Sequence, residues 1–361
     1  MRQTQVFVHD MAHPEDCTGL TSDLATGRLR AADIRAVFIK TEGNGLDNDW
    51  SRPLALRALA QHLPAPSGCG TPPMLVVSGG CEGMLTPHMT VMACTAAPLG
   101  IAAQGSAALA MGTCISEPLS AVELGREAHG EQVRHAVERA CADAGIAIDD
   151  VVHVQVLSPW MGRDLLAAAP AGASLVAHDA HASKPAIRGA AALGAGIALK
   201  EVDTDAVDWT PTGPTTRLAG VRANRVAVTA GDTGGRVQVL VLGQSSAWRG
   251  PLRAASTQLA DMLDLDAIAS VRRSGLIAAF FKGDPPADGR VRGARTTMGA
   301  DSDIHAFRHF RAAMSGVFGA ALGTPRVFIG GGAEFQSAAG GGLLTTISDH
   351  TISPRHEETT A

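Results

Sequence analysis

The chain has 361 residues, which is too long for one small hydrophobic core, so its length predicts two or three domains. Hydrophobic residues make up 45% of the sequence, and 41 glycines with only 4% aromatic residues indicate close-packed α/β structure with many tight turns. The net charge of −5, without a basic run or an aromatic-studded basic stripe, argues against nucleic acid as a partner.

Cysteine spacing and hydropathy indicate the compartment. None of the six cysteines belongs to a CxxC pair, and none follows Cys141, so the spacing predicts reduced thiols rather than a disulfide framework or a zinc site. The first residues lack the apolar core of a signal peptide, and no apolar run approaches membrane-spanning length. We therefore expect a cytoplasmic protein with no membrane partner.

Predicted strands and helices alternate in three cycles along the chain. The first cycle has strands at 4–11 and 34–40, a helix at 51–63, a strand and turn at 75–80, and an apolar run at 89–97. The second has a strand at 107–116, a helix at 122–145, a strand at 151–160, a helix at 184–199 and a strand at 225–230. The third has a strand at 236–243, a helix at 253–263, a strand at 275–282, a helix at 301–319 and a last strand at 326–332. The shared order predicts an internal triplication with units at 1–104, 105–234 and 235–361.

Two of the four lysines close apolar strands at equivalent places, in "AVFIK" and "AAFFK". Burial beside apolar neighbours disfavours the charged form of Lys40 and Lys282, so either could act as a base near neutral pH. The alternative is a lysine that reaches solvent from the end of a strand. The middle cycle has Leu157 in the corresponding place.

Two further features repeat once in each cycle. An arginine near the start of the second helix could bind a carbonyl or imide oxygen or a developing oxyanion, in the order Arg52, Arg188 and Arg308. A trio of small or apolar residues follows a later strand, as "SGG" at 78–80, "LAG" at 218–220 and "GGG" at 330–332. Glycine lets the backbone approach a ligand closely, and a serine beside a neutral lysine forms a nucleophile pair.

Several long strings in the sequence resemble the ring-opening cyclic amide hydrolases, the family of cyanuric acid hydrolase and barbiturase. They include "KTEGNGLDND", "SGGCEGMLTPH", "RGAAALGAGIAL", "DGRVRGARTTMGADSDIHAFRHFRA" and "GGAEFQSAAGGG". The resemblance covers nearly the whole chain and implies three tandem related α/β units around a pseudo-threefold axis, with the active site on that axis. It also implies a homotetramer that needs no organic cofactor.

The resemblance further implies a structural metal ion, Mg or Ca, at the glycine-rich loop near the C-terminus. The residues of this chain that match the metal site are Glu334, Asp284, Gln336, Ser337, Ala339 and Gly340. The last four would contribute through the carbonyls of "QSAAGGG", and Asp284 stands where the family has a second acid.

The chain departs from the family pattern of a lysine, an arginine and a serine in each unit. Only the first unit has a complete set, which consists of Lys40, Arg52 and Ser78. The middle unit has Leu157 and Leu218 at the expected lysine and serine positions, and the third unit has Gly330 at the expected serine position. The resemblance assigns nucleophilic attack to the middle pair, which these leucines replace. The remaining complete set therefore predicts Ser78 as the nucleophile and Lys40 as its base, with Lys282 as proton donor or carboxylate-binding group. The predicted substrate-binding residues are Arg52, Arg188, Arg308, Gly79, Gly80, Leu157, Leu218, Ala219, Gly330 and Gly331.

The sequence therefore predicts a hydrolase that opens a cyclic amide or imide ring in a small heterocyclic substrate. Two leucines would make a third of the site apolar, so a substrate other than cyanuric acid is expected. Two alternatives remain open at this point. The same scaffold could carry non-hydrolytic chemistry on a related heterocycle, or the chain could be a non-catalytic ligand-binding member of the family.

Overall fold

Three mixed β-sheets form the framework of the protein in a computed structural model that describes residues 1–46, 48–63, 71–97 and 107–352. Three short 3₁₀ helices lie within these ranges, at Ala31–Asp33, Ile148–Asp150 and Thr204–Ala206. No helix in the part of the chain that the structure describes is both long and apolar enough to cross a membrane.

The first sheet belongs to the N-terminal unit and has the order β1-β4-β2-β3. Its elements are β1 (Arg2–Asp10), α1 (Thr18–Ala25), β2 (Ile34–Lys40), α2 (Ser51–Ala60), β3 (Met74–Ser78) and β4 (His88–Ala96). Strands β2 and β3 are parallel, whereas β4 is antiparallel to both of its neighbours. The sheet is extended at its β1 edge by a two-residue strand from much later in the chain, Trp248–Arg249 (β11).

The second sheet repeats this arrangement with the order β5-β10-β6-β9. Its unit contains β5 (Ala108–Pro118), α3 (Glu127–Ala144), β6 (Val151–Pro159), α4 (Arg163–Ala167), α5 (Ala180–Ala198), the hairpin β7 (Val207–Thr210) and β8 (Gly213–Thr216), β9 (Val226–Gly231) and β10 (Arg236–Ser245). The predicted boundary between residues 234 and 235 is wrong, because β10 pairs with β5 and β6 and so completes the second unit. The predicted boundary after residue 104 lies outside the described residues.

The third sheet has the same order again, β12-β17-β13-β16. Its elements are β12 (Leu252–Leu259), α6 (Leu265–Val271), β13 (Leu276–Gly283), the short strands β14 (Arg290–Val291) and β15 (Ala294–Arg295), α7 (Ala306–Leu322), β16 (Val327–Gly330) and β17 (Gly342–Asp349). The helix predicted at 253–263 is wrong, since residues 253–259 belong to β12, which pairs along its whole length with β17. Cross-strand pairing here overrides a composition that favours a helix.

The threefold repetition extends to the register of the parallel strand pairs. Lys40 lies opposite Ser78, Leu157 lies opposite Thr229, and Lys282 lies opposite Gly330. We refer to these pairs as the first, second and third corner. Because all three sheets share one strand order and one register, the structure confirms the prediction of three related α/β units.

An aromatic cluster at the centre of the molecule explains where the two lysines point. Phe38 and Phe280 lie two residues before Lys40 and Lys282, and their rings meet edge to face at 4.8 Å, with Phe328 packed against both. Alternate residues of a strand share a face, so both lysines project from the strand ends on the side of this cluster. The core thus holds two amines at the meeting point of the three units.

Candidate active site

The ends of the central strands surround a cleft of about 620 Å³ that receives residues from all three units. Its walls combine cationic side chains with small and apolar ones. The lining residues include Arg52, Ser78, Gly79, Lys184, Arg188, Thr229, Ala230, Lys282, Phe307, Arg308, Arg311, Phe328, Gly330, Gly331 and Glu334. Volume, concavity and converging polar groups are those of a small-molecule site.

The first corner brings a lysine amine into contact with a serine hydroxyl. The Lys40 Nζ lies 3.2 Å from the Ser78 Oγ, 3.0 Å from the Gly79 carbonyl oxygen and 2.8 Å from the Ile329 carbonyl oxygen of the third unit. Lys40 is fully buried, whereas Ser78 lines the cleft. Lys40 therefore lies behind the serine, where it can exchange a proton with Ser78 and is shielded from bulk solvent.

Burial sets the protonation of this lysine. Removal from water, followed by repulsion from the Arg311 guanidinium, lowers the pKa of Lys40 to about 7, although the Cys81, Glu82 and Asp49 groups oppose the shift. The neutral amine is then well populated at neutral pH. It has two N–H groups for the two carbonyl oxygens, which leaves its lone pair for the Ser78 hydroxyl.

The third corner keeps the lysine and lacks the hydroxyl. Lys282 is 6% exposed, and its Nζ donates to the Gly331 carbonyl oxygen at 2.5 Å. Burial and then the Arg188 cation lower the pKa of Lys282 to about 7. Gly330 occupies the position that Ser78 has in the first unit, so the third corner offers a base without a nucleophile.

The second corner corrects one expectation from the sequence. Leu218 is 69% exposed and, with Gly220, lines a different surface depression, and Ala219 is exposed as well. The strand register shows instead that Thr229 is the counterpart of Ser78, and it lines the cleft. The true counterpart of the serine trio is "TAG" at 229–231, so the second unit retains a hydroxyl.

The partners of this threonine differ from those of Ser78. Leu157, opposite Thr229, is buried and does not line the cleft, so it offers neither a charge nor a surface to a substrate. The Gln155 side chain occupies the place of Phe38 and donates from its Nε2 to the Thr229 Oγ1 at 3.3 Å. With that acceptor position filled, the Thr229 hydroxyl can donate its own proton into the cleft.

Two arginines are anchored by glutamates across unit boundaries. Arg188 from α5 donates from Nε and Nη2 to Glu334 at 2.6 and 2.5 Å, and Arg311 from α7 makes the same paired contact with Glu82 at 2.7 Å for both bonds. Arg311 is therefore the counterpart of Arg188, although Arg308 was the predicted residue. Arg308 also lines the cleft and lies 3.4 Å from Glu82.

Close packing beneath these guanidinium groups requires glycine. Gly80 and Gly332 have φ angles of 79° and 81°, a region that residues with a side chain rarely adopt. A Cβ atom at Gly80 would lie 2.7 Å from the Arg311 Nη2, and one at Gly332 would lie 2.5 Å from the Arg188 Cζ. Both strand-end turns thus bring the backbone directly under an arginine.

Comparison with known proteins gives the family to which these features belong. The sequence model of the family described as "Amidohydrolase ring-opening protein" matches residues 5–349. The chain belongs to this family. It is 37% identical to a cyanuric acid amidohydrolase of Methylobacterium sp. (strain 4-46), over 96% of this chain and 97% of that protein. It is 35% identical to a cyclic amide hydrolase of Azorhizobium caulinodans, over 95% and 99%.

Solved structures of the family have the same fold. A cyanuric acid hydrolase from A. caulinodans superimposes with a TM-score of 0.86 at 33% identity, over 98% of this chain and 100% of that one. A second cyanuric acid hydrolase, described as an "evolutionary innovation by structural concatenation", gives 0.87 at 33% identity, over 97% and 100%. The protein is therefore a ring-opening amidohydrolase, and the non-catalytic alternative is set aside.

The residues predicted for the family's metal ion have other partners. Glu334 is paired with Arg188, and both oxygens of Asp284 accept from the Gly332 and Ala333 amides at 2.5 and 2.6 Å. The main-chain carbonyl oxygen of Gln336 accepts from the Gln258 Nε2 at 2.9 Å. The described residues also contain no group of three or more His, Cys, Asp or Glu side chains placed to hold a metal.

These side chains are thus engaged with protein donors and are not arranged as a cation site. Burial and the Glu334 carboxylate raise the pKa of Asp284, and the Ala333 and Gly332 amides and Lys282 oppose that shift. An Mg or Ca ion held by the main-chain carbonyls of Ser337, Ala339 and Gly340 stays a prediction.

Sequence reasoning also missed a third amine at the site. Lys184 precedes Arg188 by one helical turn, and its Nζ lies 5.1 Å from the centroid of the Trp160 ring. Burial and then Arg188 lower the pKa of Lys184 to about 8. Its position four residues before an arginine already assigned to the site is the signal that could have found it.

Proposed function

We propose that the protein opens a cyclic amide or imide ring by attack of the Ser78 hydroxyl, with Lys40 as general base. The observation that supports this is the 3.2 Å contact between the Lys40 Nζ and the Ser78 Oγ, made by a lysine that burial keeps largely neutral. Ser78 is the one hydroxyl of the three corners that lies opposite a lysine. A serine beside a neutral amine is an activated nucleophile.

The proposed reaction has two steps. In the first, the Ser78 proton moves to the Lys40 Nζ as Oγ bonds to a ring carbonyl carbon, and the ring C–N bond then breaks while the leaving nitrogen takes the proton back from Lys40. In the second, Lys40 accepts a proton from water, the hydroxide attacks the Ser78 ester, and the serine oxygen is released with that proton. The product is the open-chain acid with its amide or urea nitrogen retained.

Residues around the corners would hold the ring during these steps. The Gly79 and Gly80 amides are proposed to stabilise the oxyanion, and Arg52, Arg188, Arg308 and Arg311 to form the cationic wall facing the other ring oxygens. Lys282, which faces the cleft from the third corner, can protonate a departing nitrogen on its own side. A tetrameric assembly and a cytoplasmic location stay predictions of the family resemblance and the composition.

The three corners differ in chemistry, which supports a substrate other than cyanuric acid. The first presents serine and lysine, the second threonine without a lysine, and the third lysine without a hydroxyl. A site built for a ring with three identical edges would gain from three identical corners. A ring whose edges differ is the better match for this cleft, even though relatives are named for cyanuric acid.

Two variants test the nucleophile. Ser78→Ala should abolish ring opening across a panel of cyanuric acid, barbituric acid, succinimide, hydantoin and dihydrouracil, followed by loss of ring ultraviolet absorbance. Thr229→Val is the matched control, because it removes the other hydroxyl of the corners with little change in volume. Full turnover by Ser78→Ala, or abolition by Thr229→Val alone, would place the nucleophile elsewhere. Equal rates on cyanuric acid and on the best unsymmetrical ring would refute the substrate proposal.

A further inference from the structure

The third corner contains an open space where the other corners have a side chain. A Cβ atom built on Gly330 would lie 3.4 Å from the Lys282 Cδ, 3.7 Å from the Lys282 Nζ and 3.9 Å from the Phe281 carbonyl oxygen. These are ordinary contact distances, so a serine would fit, as Ser78 does in the first unit. Glycine thus leaves a space the size of a side chain that opens directly from the cleft wall.

The groups around this space are donors. Among the described residues, the Lys282 Nζ has one hydrogen-bond partner, the Gly331 carbonyl oxygen, whereas the equivalent Lys40 Nζ has three, two carbonyl oxygens and the Ser78 hydroxyl. The Lys282 ammonium has three N–H groups, so it can donate further hydrogen bonds toward the space beside Gly330. The guanidinium group of Arg188 lies against Gly332, two residues along the same turn.

The rest of the cleft has room for more than a bare ring. A cavity of about 150 Å³ is enough for benzene, and this cleft measures about 620 Å³. Phe307 and Phe328 supply apolar wall near the third corner, where a ring face can pack. The donors at Lys282 therefore face a volume that a ring seated against Ser78 would leave partly empty.

We infer that the substrate ring carries an exocyclic acyl group, a carboxylate or a carboxamide, that enters the space at Gly330 and accepts a hydrogen bond from Lys282. The inference rests on the proposed function, because the same ring must present an amide carbonyl to Ser78. It assigns Gly330 and Lys282 as specificity-determining residues. The glycine provides the room, and the lysine recognises the oxygen.

Binding measurements on matched rings test this assignment. The probes are dihydrouracil, its 6-carboxylate and its 6-carboxamide, titrated calorimetrically into Ser78→Ala protein so that turnover does not interfere. A hydrogen bond to a charged group corresponds to about 10- to 100-fold in affinity, so the substituted rings should bind tighter than dihydrouracil by that factor. A gain for the carboxylate alone identifies a charge interaction, and a gain for both identifies recognition of the acyl oxygen.

Variants at the third corner should remove this advantage. Gly330→Ser fills the space. Gly330→Ala is a smaller change and provides the same test if the Gly330→Ser protein does not fold. Lys282→Met removes the donor, and Leu218→Ala on the exposed surface is the control that should change nothing. Equal, weaker or absent binding of the substituted rings, or an advantage that survives both Gly330 variants, would overturn the inference. Failure of the proposed function would show separately, as ring opening that persists in Ser78→Ala.

Discussion

Replacing Lys40 with methionine tests how burial prepares the base. Because the pKa of Lys40 is about 7, the neutral fraction of the amine is about 0.1 at pH 6 and about 0.9 at pH 8. The wild-type kcat/KM should therefore rise about tenfold between these two pH values. Lys40→Met should lower kcat by about 10²- to 10⁴-fold, as expected for loss of a general base, and should lose this pH dependence.

The same substitution has a calculable effect on stability. Methionine removes the Lys40 donor from the buried Ile329 carbonyl oxygen, at a cost of about 1–3 kcal/mol, whereas the Gly79 carbonyl oxygen can still accept from the Ser78 Oγ at 3.3 Å. The folded pKa of Lys40 is below its unfolded value, so the unfolded chain binds more protons between about pH 7 and pH 10. Wild-type stability gains about 1.4 kcal/mol per pH unit from this group over that window, and the variant loses that gain.

Initial rates from pH 5.5 to 9 and urea unfolding at pH 7 and 9 measure both effects. Lys282→Met is the matched control, since it removes the other buried lysine but leaves the Ser78 pair intact. The rise of kcat/KM through pH 7 should remain in Lys282→Met and disappear in Lys40→Met. A wild-type profile that is flat from pH 6 to 8, or a limb that disappears only with Lys282, would refute the assignment of Lys40 as base.

Three further substitutions separate the site from its surroundings. Leu218→Ala should change kcat by less than twofold in the same absorbance assay, because Leu218 is 69% exposed and lies away from the cleft. A large decrease in kcat would show that Leu218 belongs to the site after all. Arg311→Met should cost up to about 3–5 kcal/mol in urea unfolding, because the buried Glu82 carboxylate then keeps the longer 3.4 Å contact with Arg308 in place of two hydrogen bonds, and an added Glu82→Gln should recover part of that loss. Gly80→Ala should cost at least about 1–2 kcal/mol, since its φ of 79° is unfavourable for alanine; a stability equal to wild type would show that the turn can relax.

Features that repeat along one strand were predictable from the sequence. The two lysines are predictable because each closes an apolar strand at an equivalent place in its cycle, and the register confirms their equivalence. The tandem units were likewise visible in the order of strands and helices. Local patterns suffice for such features because strand periodicity and burial act within a few residues.

Features that depend on partners distant in sequence were not predictable in the same way. "LAG" at 218–220 and "TAG" at 229–231 both end in small residues, and only pairing of Leu157 with Thr229 decides between them. Arg308 and Arg311 lie one helical turn apart, and contact with Glu82 from another unit distinguishes them. The composition of β12 predicts a helix, and the segment forms a strand because it pairs with β17, which lies more than eighty residues later in the chain.

One acceptor that holds the Lys40 amine in place is a main-chain oxygen of another unit. Ile329 binds Lys40 through its carbonyl group, which any residue at that position would supply. Substitutions in the third unit can therefore alter which molecule enters the cleft while the amine of the first unit keeps its anchor. The amine of one unit thus depends on the main chain of another, while the side chains of each unit can diverge separately, so such a scaffold can acquire new substrates and keep this anchor.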